Sequence, residues 1–277
     1  MEKNAVSVGK KWLPYRESGA GGFFAVHSAF NRVINISTGA GLLSVAAEGI
    51  GGSSAFLTVQ GGRVDCGVPA GGRCFIQAGK MRLADHTINF KNAPLWKGPV
   101  TKGYRYSGIK RENIAAFKAV LDRKAAPQSA WRYMNCDSPE GLRNRWPGLE
   151  AVRRLRQNPL EAENLIGLGQ GLTPAGDDML VGFLAVVNHS SGNRAFARRL
   201  RGAVSGALRK TADISAQALA NALACDYHEY VQNCLRDVCE GEKEEVYISA
   251  SSLINMGASS GSDIACGMYY GMLDMQR

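Results

Sequence analysis

A glycine-rich segment, GLGQGLTPAGDDMLVG at 167–182, holds the residues best suited to chemistry. It opens with three glycines at alternate positions, Gly167, Gly169 and Gly171. An apolar run with helical periodicity follows them, so the segment predicts a loop that leads into a helix. Thr173 suits the N-cap of that helix, and Pro174 suits its first position. Peptide N–H groups exposed at the positive end of a helix bind phosphate or carboxylate, and we therefore predict an anion site here.

Two common nucleotide-binding patterns do not fit this segment. No Gly-Lys-Ser/Thr follows the glycines, as a P-loop requires. The spacing also fails the dinucleotide fingerprint, which needs a preceding strand. Only the more general anion site is therefore predicted.

A second segment, GASSGSDIACG at 257–267, repeats part of the first. The recurring residues, at a constant offset of 85, are Gly176 with Gly261, Asp178 with Asp263, and Gly182 with Gly267. Both segments predict a small-residue loop that opens an apolar helix, and the two helix starts are expected to face each other across one pocket. In that arrangement the two aspartates are equivalent. Their carboxylates are suited to hold a divalent cation, to orient a donor N–H, or to act as a general base.

Helix capping is the simpler alternative for these acidic residues. An aspartate in the first turn is favoured by the helix dipole, and Ser260-x-x-Asp263 resembles a capping box. Capping does not account for two adjacent acids after a triple-glycine loop, so we favour a ligand site. The candidate catalytic residues are Asp178, Asp263 and Thr173. The candidate residues for binding substrate or phosphate are Gly167, Gly169, Gly171, Leu172, Thr173, Gly176, Asp177, Ser259, Ser260 and Gly261.

A third helix start is predicted in KTADISAQALANALACDYHEY, residues 210–230. Capping by Thr211 or Asp213 is the interpretation that we favour for its polar residues. Thr211 and Ser215 stay candidates for the pocket, because positions i and i+4 share a helix face.

No metal site or cofactor is predicted, with Mg²⁺ at the aspartates kept as an alternative. The four histidines lack zinc-binding spacing, and the seven cysteines form no C-x-x-C pair. Reduced thiols are expected. The ligand-type residues at 225–229 are consecutive, so a solvated helix face is expected for them. No Ser/His/Asp set can be assembled with specificity, which gives a nucleophilic serine little support.

Composition is that of an ordinary globular chain of 277 residues, with 45% hydrophobic and 21% charged residues. The net charge of +9 suits an anionic substrate or nucleic acid. No nucleic-acid signature accompanies it, and the arginine clusters at 153–156 and 198–201 are expected on solvated helix faces. The longest apolar run, 179–187, is too short to cross a bilayer, and the start does not read as a secretory signal. A cytoplasmic location without membrane or nucleic-acid partners is expected.

The elements that must position these residues change type along the chain. The first ~105 residues predict a sheet or small barrel, because short β-branched and aromatic runs alternate with glycine clusters. The predicted strands are 23–27, 32–36, 42–46, 55–59 and 86–90. From about residue 108 the periodicity is helical. The predicted helices are one ending near Lys124 and those at 147–158, 174–189, 194–210, 213–238, 243–256 and 261–275, with 125–147 as a connection.

The predicted fold class is therefore α+β. An N-terminal β-rich sheet or small barrel precedes a mostly helical C-terminal region. The predicted domains are a β-rich domain at 1–107 and a helical domain at 108–277 that carries the glycine loop.

Three segments also resemble a known family. GLGQGLTPAGDDMLVGFLA, the later TADISAQAL and the closing MGASSGSDIACGMYYG are similar to the pattern of the AllH-type subunit family of oxamate carbamoyltransferase. The glycine loop with T-P-x-G-D-D is the most specific of the three. The resemblance extends to HSAFNRVINI at 27–36 and to the change from predicted strands to predicted helices along the chain.

The resemblance implies a role in allantoin and purine nitrogen catabolism, where oxalurate and phosphate are converted to oxamate and carbamoyl phosphate. It also implies two other carbamoyltransferase subunits as partners. Backbone N–H groups from Gly169 to Leu172 would stabilise the oxygen of the attacked carbamoyl group. Thr173 would contact phosphate, and Asp178 with Asp263 would orient the carbamoyl N–H groups.

Two competing functions remain open on the sequence. One is a helical hydrolase in which Asp177, Asp178 and Asp263 bind Mg²⁺ and activate water. The other is a non-catalytic scaffold subunit whose glycine loops pack against a partner.

Overall fold

The computed structural model describes residues 2–17, 21–64, 67–99, 108–135 and 147–275. The chain forms two compact units, Met1–Gly98 and Pro99–Arg277. The predicted boundary at residue 107 lies outside the described residues, as do Cys66, Cys136 and Pro139.

The first unit is a closed barrel of eight short strands. They are β1 (Glu2–Val8), β2 (Gly22–Ala29), β3 (Val33–Thr38), β4 (Gly41–Ala47), β5 (Phe56–Val59), β6 (Arg73–Gln77), β7 (Lys80–Leu83) and β8 (His86–Asn89). Their order around the barrel is β1-β5-β4-β3-β2-β6-β7-β8. The barrel closes because β1 pairs with β5 on one side and in parallel with β8 on the other. A short helix, α1 (Leu13–Glu17), follows β1.

Side-chain alternation explains the core of the barrel. In β7 the charged residues Lys80 and Arg82 are exposed, whereas Met81 and Leu83 are buried. This period of two places one face of each strand in the core. All five strands expected from the sequence are present, and β1, β6 and β7 are additional. The additional strands were missed because they carry charged or polar residues at the outward positions, which weakens the apolar signal.

The second unit is helical. Its helices are α2 (Arg111–Lys124), α3 (Ala130–Met134), α4 (Leu149–Leu155), α5 (Ala175–His189), α6 (Arg194–Ala207), α7 (Asp213–Leu223), α8 (Glu229–Glu240), α9 (Lys243–Ile254) and α10 (Ser260–Met275). A 3-10 helix at Pro159–Asn164 lies between α4 and α5. Together the two units confirm the predicted α+β class, with strands first and helices second.

Helix α5 is the centre of the helical core. Nearly all of its residues are buried, as expected for a helix that is apolar on most sides. It crosses α10 so closely that a Cβ on Gly182 would lie 1.9 Å from the carbonyl oxygen of Ile264. A Cβ on Gly267 would lie 1.9 Å from the carbonyl oxygen of Met179. The contact is reciprocal, and glycine is required on both sides.

Three predictions about the helical region were wrong. The segment expected as one helix at 213–238 forms two, because the chain turns at Cys225, which has a φ of +57°. Residues 225–229 are therefore not a solvated helix face, and Tyr227 is buried. The expected connection at 125–147 contains α3, whose Trp131 is buried against the ring of Tyr269.

Within the described residues, no helix combines the length and the apolar character that a bilayer crossing requires. The described cysteines, Cys74, Cys225, Cys234, Cys239 and Cys266, carry free thiols.

Candidate functional site

The two repeated segments meet at the starts of α5 and α10. The hydroxyl oxygens of Thr173 and Ser260 lie 2.8 Å apart, so one hydroxyl donates to the other. Further along, the reciprocal crossing at Gly182 and Gly267 holds the two helices together. The N-termini of α5 and α10 therefore lie side by side, while the pocket expected between them stays a prediction.

The repeat extends to the turns that precede each helix. The N–H of Gly176 donates to the carbonyl oxygen of Leu168, and that of Gly261 donates to Met256, both at 2.9 Å. A Cβ on Gly176 would lie 2.0 Å from the carbonyl oxygen of Leu165. The corresponding Cβ on Gly261 would lie 1.9 Å from a backbone oxygen. Both glycines thus allow a preceding backbone segment to touch the first turn.

Thr173 is not the N-cap that the sequence predicts. Helix α5 begins at Ala175, and Pro174 occupies the N-cap position without a side-chain hydrogen bond. In α10 the first helical residue is Ser260, so the expected Ser260-x-x-Asp263 capping box is also displaced. The hydroxyls of Thr173 and Ser260 face each other instead, and both side chains are half-buried.

The glycine loop presents unused peptide N–H groups. Those of residues 169–173 donate to no group that the structure describes. Residues 169–172 are exposed, with 48% of Leu172 accessible. Gly169 has a φ of +136°, and a Cβ there would lie 2.6 Å from the backbone nitrogen of Ala175. The loop is therefore folded tightly against the helix start, and these N–H groups have no acceptor among the described residues.

Asp177 holds this loop in place. Its Oδ1 accepts a 2.8 Å hydrogen bond from the N–H of Gly167, and its Oδ2 accepts one from the hydroxyl of Thr211. Asp177 is buried, so both oxygens are used for structure. Although predicted as a binding residue, Asp177 acts here as a bridge between the loop and the start of α7.

The start of α7 approaches the site, and the predicted capping of this helix by Thr211 is wrong. Ala212 is the N-cap and makes no side-chain cap, while Thr211 reaches Asp177. The hydroxyl of Ser215 lies 3.5 Å from the carbonyl oxygen of Leu172. A hydroxyl suits either role, so the sequence alone does not distinguish capping from this contact.

Replacing Thr211 with valine is expected to destabilise the helical unit by about 2 kcal/mol, because it leaves a buried oxygen of Asp177 without its donor. Valine keeps the shape of the side chain and replaces the hydroxyl with a methyl group. Thr211→Ser is the matched control, since serine retains the donor. Urea unfolding followed by far-ultraviolet circular dichroism measures the effect. Equal unfolding free energies for the two variants would contradict it.

Asp178 differs from Asp177 in having an unused oxygen. Only 5% of Asp178 is exposed, and its buried Oδ2 has no hydrogen-bond partner among the described residues. Burial raises the pKa of this carboxyl well above its usual value, and the nearby carboxyls of Asp263 and Asp177 raise it further. The hydroxyls of Ser260 and Thr173 oppose the rise in pKa. Burial and the neighbouring carboxyls therefore favour the protonated form of Asp178.

Asp263, its equivalent in the repeat, is engaged by the protein. Its Oδ1 accepts a 2.7 Å hydrogen bond from the N–H of Ala130, the first residue of α3. Burial raises the pKa of Asp263 to about 7, while the Ala130 N–H and the Ser259 hydroxyl lower it. The next residue back, Ser262, accepts a 2.9 Å hydrogen bond from the N–H of Ala126. The two halves of the repeat thus share geometry but not hydrogen-bond partners.

Residues 126–130 were missed as neighbours of the site. Ser129 precedes the Ala-Trp start of α3 and occupies its N-cap position, which is the signal that could have revealed the helix. The proline-rich surroundings favour a connection instead.

The Mg²⁺ hypothesis receives no support from the arrangement of the carboxyls. Among the described residues, no group of three or more His, Cys, Asp or Glu side chains is placed to hold a metal ion. A separate cavity of about 310 Å³ lies between α2 and α10, lined by Arg111, Ile114, Ala115, Lys118 and Tyr269. None of the residues predicted for the site lines it.

Comparison with known proteins agrees with the resemblance seen in the sequence. Residues 165–272 match the family model described as oxamate carbamoyltransferase subunit AllH. The matched range contains every predicted site residue, whereas HSAFNRVINI at 27–36 lies outside it. No curated protein and no solved structure matches the chain. The part of the chain that holds the glycine loop and the paired helix starts therefore matches the AllH family of oxamate carbamoyltransferase subunits.

Proposed function

We propose that this chain is a subunit of an oxamate carbamoyltransferase that converts oxalurate and phosphate to oxamate and carbamoyl phosphate. We further propose that the loop at 167–173 and the starts of α5 and α10 bind these anions. The family match over residues 165–272 supports the subunit role. The reaction places the protein in allantoin and purine nitrogen catabolism in the cytoplasm, with two other subunits as partners.

One observation carries the assignment of the anion site. The peptide N–H groups of residues 169–173 are unused by the described chain, and they lie next to two adjacent helix N-termini. Helix starts and free amides attract negative charge, and the net charge of +9 favours the approach of anions. Four anions take part in the proposed reaction, namely phosphate, oxalurate, oxamate and carbamoyl phosphate.

The same groups fit the charge that the reaction develops. When phosphate attacks the carbamoyl carbon, negative charge grows on the carbamoyl oxygen, and preorganised N–H donors stabilise it. In the Thr173–Ser260 pair one hydroxyl donates to the other, and the second hydroxyl proton can turn from the Asp178 carboxyl towards a bound anion. We assign that proton to a phosphate oxygen. Asp263 positions Ser259 and α3 beside the site rather than touching substrate.

Expression of the chain with and without the products of its neighbouring genes tests the proposal. The assembled complex is expected to form carbamoyl phosphate from oxalurate only when phosphate is present. No product from any combination would contradict the transferase function. Activity from the partners without this chain would contradict a catalytic role for it.

A loop variant tests the anion site directly. Gly169→Ala is expected to weaken binding of inorganic phosphate to the complex by at least about tenfold, because the new methyl group presses on the start of α5 and displaces the amides. Gly206→Ala is the matched control, since Gly206 is a helical glycine with open space around it. Isothermal titration with phosphate gives both dissociation constants. Equal affinities would place the anion elsewhere.

A further inference from the structure

We propose that Asp178 is the acid that delivers a proton to the amide nitrogen as it leaves the carbamoyl carbon. This inference rests on the proposed function and assigns a catalytic step to this subunit. It starts from a contrast among three neighbouring carboxyls, of which Asp178 alone keeps a buried oxygen without a partner among the described residues.

The contrast is visible in the hydrogen bonds. Asp177 uses both oxygens, accepting from Gly167 and Thr211. Asp263 accepts from the N–H of Ala130. Asp178 is 5% exposed, and its buried Oδ2 accepts from no group that the structure describes. Buried polar atoms are nearly always hydrogen-bonded, so an unpartnered one in the first turn of a helix indicates a ligand contact.

The position of Asp178 relates this oxygen to the anion site. The carboxyl lies near the hydroxyls of Thr173 and Ser260, which join the starts of α5 and α10. The unused N–H groups of the loop end at the same threonine. A carbamoyl group bound by those amides would therefore lie close to the Asp178 carboxyl. That position suits transfer of a proton from Asp178 to the leaving amide nitrogen.

The charge state of the carboxyl agrees with this role. Burial keeps the pKa of Asp178 well above its ordinary value, which favours the protonated form of the carboxyl. A neutral acid does not repel oxalurate or phosphate, whereas a carboxylate at this place would. General acids are commonly raised in pKa by burial in this way.

The step balances in atoms and charge. An oxygen of hydrogen phosphate attacks the carbamoyl carbon, and a C–O bond forms. The C–N bond to the oxalyl amide breaks, and its nitrogen takes the proton from Oδ2 of Asp178, which gives oxamate. The proton carried by hydrogen phosphate returns to the Asp178 carboxylate, which leaves carbamoyl phosphate as the second product. No oxidant, reductant or further reactant is required.

The test compares Asp178→Asn with wild type in the assembled complex. Turnover is expected to fall by about 10²- to 10⁴-fold, the usual contribution of a general acid. Because asparagine keeps the size and polarity of the side chain, the dissociation constant for oxalurate measured without phosphate should change by less than about threefold. Wild-type turnover should also decline as the pH rises through the pKa of Asp178, and Asp178→Asn should lack that decline.

Two further variants keep the result interpretable. Asp178→Glu retains an acid, so it should keep the alkaline decline in turnover even at a reduced rate, and it replaces the asparagine variant if that one fails to fold. Asp122→Asn removes a surface ion pair with Lys118 and should behave as wild type. Wild-type turnover in Asp178→Asn, or an unchanged pH profile, would overturn the acid role alone. An inactive wild-type complex would overturn the proposed function and the acid role with it.

Discussion

Gly182→Ala is expected to destabilise the helical unit by about 3 kcal/mol, because overpacking a close helix crossing forces the backbones apart. The new Cβ would lie 1.9 Å from the carbonyl oxygen of Ile264, which is far inside van der Waals contact. That oxygen belongs to the backbone of α10 and has no rotamer by which to move away. The helices must therefore separate, and the Thr173–Ser260 contact at their N-termini is expected to lengthen with them.

Gly267→Ala should have an effect of similar size, since its Cβ would meet the carbonyl oxygen of Met179 at the same distance of 1.9 Å. The two substitutions act on one crossing, so the double variant is expected to lose less than the sum of the two single losses. A reciprocal pair of this kind is a specific consequence of the internal repeat, in which Met179 and Ile264 are also equivalent positions.

The chain offers a matched control in the same unit. Gly202 lies on the exposed side of α6, and a methyl group added there would have nothing within 4 Å. Gly202→Ala should therefore stabilise the unit by up to about 1 kcal/mol through helix propensity. Urea unfolding followed by far-ultraviolet circular dichroism reports mainly on the helical unit. Equal unfolding free energies for Gly182→Ala and Gly202→Ala would show that the crossing tolerates a side chain.

The close approach of α5 and α10 was predictable because the same pattern of glycine and aspartate occurs at the start of both helices. Gly182 and Gly267 cost helix propensity, and such a cost at matched positions indicates a close backbone approach. The loop glycines before Thr173 similarly indicated free amides at a helix start. These local patterns predict that the two helix starts approach each other, whereas the hydrogen bond between Thr173 and Ser260 was not predicted.

The distinction between Asp178 and Asp263 was not predictable in the same way. The partner of Asp263 is the N–H of Ala130, which is 133 residues away along the chain and belongs to a segment that reads as a connection. Every residue except proline has a peptide N–H, so no pattern of side chains predicts which N–H will donate to Asp263. Likewise, Thr211 suits a helix cap and a bond to Asp177 equally well. Hydrogen bonds to the backbone across the fold are therefore the part of the site that requires the structure.

The buried carboxyl of Asp263 predicts a strong dependence of stability on pH. Its pKa is about 7 in the folded chain, against about 4 for an unfolded aspartate. The folded state consequently binds the proton more tightly, so the stabilisation is complete below about pH 4 and is lost as the pH rises through 7. A difference of about three pKa units corresponds to about 4 kcal/mol of unfolding free energy. Asp178, whose pKa is raised in the same direction, adds to the loss at higher pH.

Asp263→Asn is expected to remove this part of the pH dependence and to be more stable than wild type by about 4 kcal/mol near pH 8. The amide oxygen of asparagine still accepts from the N–H of Ala130, so the contact with α3 is kept while the cost of ionising a buried group disappears. Near pH 4, where Asp263 is protonated in the folded state and about half protonated in the unfolded state, the two proteins should have similar stability.

Urea unfolding at a series of pH values measures the difference. Asp122→Asn is the matched control because Asp122 is half exposed and pairs with Lys118 at the surface, so its curve should run parallel to that of wild type. Parallel curves for wild type and Asp263→Asn would instead mean that Asp263 is ionised in the folded protein at little cost. Asp263 thus lowers the stability of the fold at neutral pH. We interpret this loss as the cost of holding Ser259 and α3 beside the anion site.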